Sequence, residues 1–112
     1  MCVATCGGGS NPQPTQPTTM VPPPSVSVSP ISRDPFTNPG SQHATEVEVS
    51  AFSTGTTIVS AFQAGRIFGG GASDIGFATT SDNGAIWATG FLPGLTIYEH
   101  GIFGAASDPV VA

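Results

Sequence analysis

From about residue 40 onward, apolar and polar positions alternate in short runs instead of recurring at helical spacing. Residues 45–51 place Val47, Val49 and Ala51 on one face and Glu46, Glu48 and Ser50 on the other, which predicts a half-buried strand. Ser53, Thr54 and Gly55 predict a turn. Residues 56–62 are apolar on both faces through Ile58, Val59, Ala61 and Phe62, the pattern of an inner strand. Residues 65–73, rich in glycine, predict a flexible loop. A third strand is expected over residues 74–80, with Ile75 and Phe77 on one face. Asp82, Asn83 and Gly84 predict a tight turn, because these residue types tolerate positive φ. A shorter fourth strand is expected over residues 85–89 around Trp87. The pattern therefore predicts an all-β fold, an antiparallel four-stranded meander.

The first third of the chain reads differently. Nine of the 11 prolines lie within its first 39 residues, among Gly, Ser, Thr and Gln. Such a segment has little to bury against the entropy of ordering its backbone, so a disordered tail is expected. Its prolines favour extended polyproline II, which suits a semi-rigid spacer. Cys2 and Cys6, the two cysteines, are too close together for a disulfide between them to stabilise much. The run Val3-Ala4-Thr5-Cys6-Gly7-Gly8-Gly9 resembles the end of a bacterial lipoprotein signal, with Cys6 as the lipidation candidate. Thr5 departs from the small residue usual before that cysteine. The charged and apolar regions that open a signal are also missing, as if the chain began at a Met inside it.

Charge narrows the function classes. The net charge is −5, and Arg33 and Arg66 are the only basic residues apart from two histidines. No basic patch can form, which excludes nucleic-acid binding and attraction to anionic lipid headgroups. The histidines, His43 and His100, are remote in sequence and have no cysteine companions, so no metal site is expected. No cofactor motif is present. A membrane contact is expected only through a lipid anchor at Cys6.

Residues 80–87, Thr-Ser-Asp-Asn-Gly-Ala-Ile-Trp, resemble the Asp-box of sialidases and related repeat proteins. Thr80, Asp82, Gly84 and Trp87 match that pattern, and Ile86 departs from the usual Thr. The physical sense of the pattern is plain. The Asp accepts hydrogen bonds from turn amides, the Gly permits positive φ, and the Trp buries a large surface beside the hairpin. The order of runs 58–66, the glycine-rich loop, 74–79 and the Asp-box is similar to the first blade of bacterial sialidase-like proteins, and residues 107–112 are similar to the start of a second. The resemblance implies one blade of a six-bladed β-propeller over residues 43–90 and the beginning of the next over 105–112. Residues 1–9 would then be the signal remnant and 10–42 the linker. Secretion or attachment to the cell surface is what the lipoprotein-like start of the chain implies.

In that family the Asp-box is scaffold, and catalysis uses an Arg triad, a Tyr–Glu pair and an Asp gathered from several blades. Two of the parts implied for a first blade are absent. His43-Ala44-Thr45 stands where the opening Arg is expected, and residues 69–73 carry no Asp where the acid/base belongs. Arg66 and Asp74 are the candidates for facing the pocket, or for pairing with each other. Tyr98 and Glu99, read as strand neighbours, would point to opposite faces and could not meet at one substrate atom. The expectation is therefore a truncated fragment with no complete active site. Its parent would be a non-catalytic propeller that binds glycan or protein. The alternative is a fragment of an exo-α-sialidase-like glycoside hydrolase. A lone blade exposes two unpaired sheet edges, so the fragment is expected to be only marginally stable.

Overall fold

The computed structural model describes residues 21–112; the Cys6 segment lies outside them. Four strands form one antiparallel sheet in the order β1–β2–β3–β4, with β1 at Ser41–Thr54, β2 at Thr57–Ile67, β3 at Ala72–Thr80 and β4 at Ala88–Phe91. One 3-10 turn, Ile97–Glu99, is the sole helical element among the described residues. The all-β class and the four-stranded meander expected from the pattern are thus observed.

The turns follow local chemistry. Thr54 pairs with Thr57 across a two-residue hairpin whose first central residue is Gly55 at φ +56°. Glycine at that position suits a hairpin turn whose twist matches the strands. The glycine-rich loop is shorter than its composition suggests. Residues 65–67 continue β2 and residues 72–73 begin β3, leaving 68–71 as the connection. Pairing with β1 and β3 holds the extra residues in the ladder, where Ile67 also receives the Gly70 amide at 3.0 Å.

β1 departs from simple alternation. Its register slips twice against β2, between Gln42 and Glu46 and between Val47 and Ser50. The non-glycine residues Ala44 and Glu48 lie inside those slips at φ +57° and +54°. The first slip inserts two residues and leaves the alternation of faces in phase, whereas the second inserts one and turns the following side chains to the other face. The apolar face predicted for this strand therefore stays largely uncovered, with Val49 64% exposed and Ala51 exposed.

The interior is small and unusually polar. Phe62, Ala64, Ala72, Ile75 and Ala78 are buried on β2 and β3, yet the largest fully buried side chains are Gln63, Thr96, Asp74 and Ser73. Buried polar groups need partners to offset lost hydration, and Asp74, Thr96 and Ser73 supply them to one another. Asp74 Oδ1 accepts the Ile75 amide at 2.6 Å. The Thr96 hydroxyl sits 2.9 Å from Asp74 Oδ2 and 2.6 Å from the Ser73 carbonyl. These bonds fasten the connection that follows β4 onto β3. Further along, Ala106 exchanges both backbone bonds with Ala72, at 2.7 and 3.1 Å. The Val111 amide then donates to Ser50 Oγ at 3.1 Å, so the C-terminal segment returns to β1.

Part of the proline-rich region belongs to this core. Asp34 and Phe36, on the linker side of the boundary drawn at residue 42, are both buried. Asp34 Oδ1 accepts the Phe36 amide at 2.8 Å and Oδ2 accepts the Thr45 amide at 3.1 Å. The Phe36 ring meets Phe91 edge-on at 5.0 Å and Tyr98 at 6.1 Å. Asn38 Oδ1 accepts the Ser73 hydroxyl at 2.9 Å. Residues 32–40 thus strap one end of the sheet, and β1 itself begins at Ser41.

Candidate functional site

The turn between β3 and β4 is organised by two side chains. The Thr80 hydroxyl, at the end of β3, donates to Asp82 Oδ1 at 2.6 Å, and its oxygen accepts the amides of Asp82 at 3.3 Å and Gly84 at 3.2 Å. Asp82 Oδ1 also accepts the Ile86 amide at 3.0 Å. Asn83 at φ +59° and Gly84 at φ +88° supply the left-handed backbone that closes the loop. The Asn83 amide donates to the Thr56 carbonyl at 2.9 Å, which ties this turn to the β1–β2 hairpin. Trp87 Nε1 donates to the Gly84 carbonyl at 3.0 Å, so the indole is fixed against the loop it follows. All four residues singled out in the sequence are brought together. Trp87 lies just ahead of β4 instead of inside it, half-buried.

These bonds set the electrostatics of Asp82. The Thr80 hydroxyl first, and then the Ile86 amide, hold its carboxyl below the ordinary value of 3.8 by favouring the charged form. Weaker approaches of the Ala85 amide and its own amide act in the same direction.

A second feature lies at the opposite end of the hairpins. An open cleft of about 450 Å³ is bounded by Glu48, Gln63, Gly70, Gly71, Ser107 and Asp108. Glu48 stands in the second bulge of β1. The side-chain amide of Gln63, itself 2% exposed, donates to Glu48 Oε2 and fixes that carboxylate. Asp108, at φ +53°, accepts the Ser107 hydroxyl at 2.8 Å. Non-glycine residues in this conformation cost of order 1–3 kcal/mol and cluster where a fixed geometry is needed. Gly71 brings its backbone close to the C-terminal segment, since a Cβ there would lie 3.0 Å from the Ala106 carbonyl oxygen. The cleft carries two carboxylates and no lining cation. It can accept hydrogen bonds from hydroxyl or ammonium groups, and it opposes an anion.

Neither Arg66 nor Asp74 lines this cleft. Asp74 is wholly buried and bonded to Ile75 and Thr96, not to Arg66. Arg66 is half-buried on β2 opposite Gln42 and Ala72, and its backbone amide donates to Thr45 Oγ1 at 2.9 Å. Tyr98 and Glu99 lie in the 3-10 turn, so the alternation of a strand does not describe them. Tyr98 packs on Phe36, and the Glu99 carbonyl accepts the Gly94 amide at 2.7 Å. The sequence pattern does not link Glu48, Gln63 and Asp108, because a bulge and a long-range return of the chain bring them together. Among the described residues no group of three or more His, Cys, Asp or Glu could hold a metal ion. No protein-family model matches this chain, and neither a curated protein nor a solved structure matches it.

Proposed function

We propose that residues 41–91 serve as one blade of an Asp-box β-propeller, and that the propeller binds a glycan or a protein without hydrolysing it. The observation that carries this reading is the bonded turn at Thr80, Asp82, Gly84 and Trp87, where each residue performs the task its type suits. The meander order supports it. So does the uncovered apolar surface, since Val49 and Phe52 on β1 and Ile102 and Val110 beyond the sheet are 48–83% exposed, and few hydrophobic residues are buried. A repeat unit of this kind buries its apolar faces against neighbours.

Binding is favoured over sialoside hydrolysis by the chemistry of the Glu48–Asp108 cleft. A substrate carboxylate needs opposing guanidinium groups, and neither arginine lines that cleft. Tyr98, the one tyrosine, is committed to Phe36. The test is to express the product of the whole reading frame and assay it on a fluorogenic sialoside and on an immobilised glycan panel. Saturable binding without fluorophore release is the expected result. Turnover that disappears on changing Arg33 or Arg66 would instead establish the hydrolase reading.

A further inference from the structure

Beside the Asp-box turn lies a second cleft, of about 400 Å³. Its position follows from the register. Val59, Thr79 and Ala88 are aligned across β2, β3 and β4, and Thr57, two residues before Val59, shares their face. Thr57, Thr79 and Ala88 contribute to the cleft, together with Asp82, Ile86 and Trp87 from the turn. We propose that this cleft is a binding site for a neutral sugar ring, which stacks on Trp87 and Ile86 and donates its hydroxyls to Asp82.

The chemistry of the lining selects that ligand. The Ile86 side chain is 75% exposed, and only its amide is used by the turn. Trp87 has its one polar group satisfied by Gly84, so the ring offers an apolar surface of fixed orientation. Such a platform suits the C–H face of a pyranose. Both turn bonds to Asp82 land on Oδ1, and no side-chain donor among the described residues reaches Oδ2. The carboxyl is held ionised by those same bonds, so it accepts hydroxyl protons strongly. Thr57 and Thr79 add hydroxyls that both donate and accept. An apolar wall with a few placed polar groups is the usual composition of a small-molecule site. An anionic sugar is disfavoured, because the ionised Asp82 has no cation beside it in the lining. A quaternary ammonium is disfavoured as well, since one indole does not make an aromatic cage. The inference does not need the blade reading, since β2, β3, β4 and the turn between β3 and β4 supply the whole lining.

Trp87 is the only tryptophan in the chain, so its fluorescence reports on this cleft alone. The 112-residue chain is titrated with methyl β-galactoside and with cellobiose, with sialyllactose and choline as comparisons, and the amides of residues 57, 79 and 86–88 are followed by NMR. The expected result is saturable quenching and localised shifts with a neutral sugar in the millimolar range, and none with the comparisons. Thr57→Val and Ile86→Ser change side chains that the turn does not use. Each is expected to weaken the sugar about three- to tenfold while the free-state spectrum keeps its dispersion. No saturation by either neutral sugar, affinity untouched by both variants, or tighter binding of sialyllactose or choline would overturn the proposal.

Discussion

The Asp-box turn concentrates several jobs on single residues, and Asp82 holds the most. Its carboxylate is exposed, yet it is held below 3.8 by the Thr80 hydroxyl and the Ile86 amide. A group whose folded pKa is depressed stabilises the fold above its unfolded pKa and loses that contribution as pH falls through the folded value. The stability gap between the native chain and Asp82→Asn should therefore be full near neutral pH and close as the solution is acidified below about pH 4. Urea unfolding followed by Trp87 fluorescence at several pH values measures it; a gap unchanged down to about pH 2 would remove charge from the account. Gly84 contributes in another way. A Cβ there would sit 3.6 Å from the indole, an ordinary contact, so space is not limiting. Its φ of +88° is. Gly84→Ala should cost about 1–2 kcal/mol through backbone strain, and Gly84→Asn clearly less, in the same unfolding assay. This turn was legible in the sequence because its side-chain bonds are local, spanning two to four residues. Ile86, where the pattern has Thr, does no harm because the turn uses its amide and not its side chain.

Between strands, the organising units are two cross-strand pairs of phenylalanine with glycine. Phe62 on β2 lies opposite Gly76 on β3, and Phe77 on β3 lies opposite Gly90 on β4. In each pair the ring covers the glycine. A Cβ on Gly76 would come within 2.9 Å of Phe62 Cζ, and one on Gly90 within 2.8 Å of Phe77 Cζ. Because 62 and 77 lie on opposite faces of the sheet, the two rings cover both of its sides. Overfilling such a site costs about 1–3 kcal/mol. Gly76→Ala should cost that much, and the cost should shrink in a Phe62→Leu background, where the side chain can withdraw. A double-mutant cycle in urea measures the coupling, and strict additivity would mean the ring does not rest on the glycine. Strand order was readable because Gly55 and the 82–84 turn announce their hairpins. The inside and outside of β1 were not. Alternation assigns Val47, Val49 and Ala51 to one face, but the bulge at Glu48 interrupts the period with a residue that carries no turn signature. The same bulge places Glu48 beside Gln63, which is why the acidic cleft was invisible to a pattern of period two.

At the scale of the whole molecule, stability depends on a segment whose composition argues against structure. Proline density marks residues 10–42 as linker, and residues 21–31 are indeed exposed throughout. Asp34 and Phe36 reverse that rule over a few positions, because one carboxylate accepts two amides and one ring meets two others. A count of prolines averages over such residues and cannot find them. The energetic consequence is large. A core of this size supplies only about 3–5 kcal/mol, and truncating a buried phenylalanine to alanine costs about the same. Phe36→Ala should therefore abolish the cooperative melt, although it lies outside every strand. Val26→Ala, at a position 83% exposed, should leave the melt within about 2 °C of the parent. A chain starting at residue 31 should melt like the full one, and a chain starting at residue 41 should show no transition in near-ultraviolet circular dichroism. If the shorter chain kept its transition, residues 32–40 would be an attachment to a sheet that stands without them. The bonds from Asp34 to Thr45 and from Ser73 to Asn38 argue the opposite, because they close the end of the sheet where β1 enters and β3 begins.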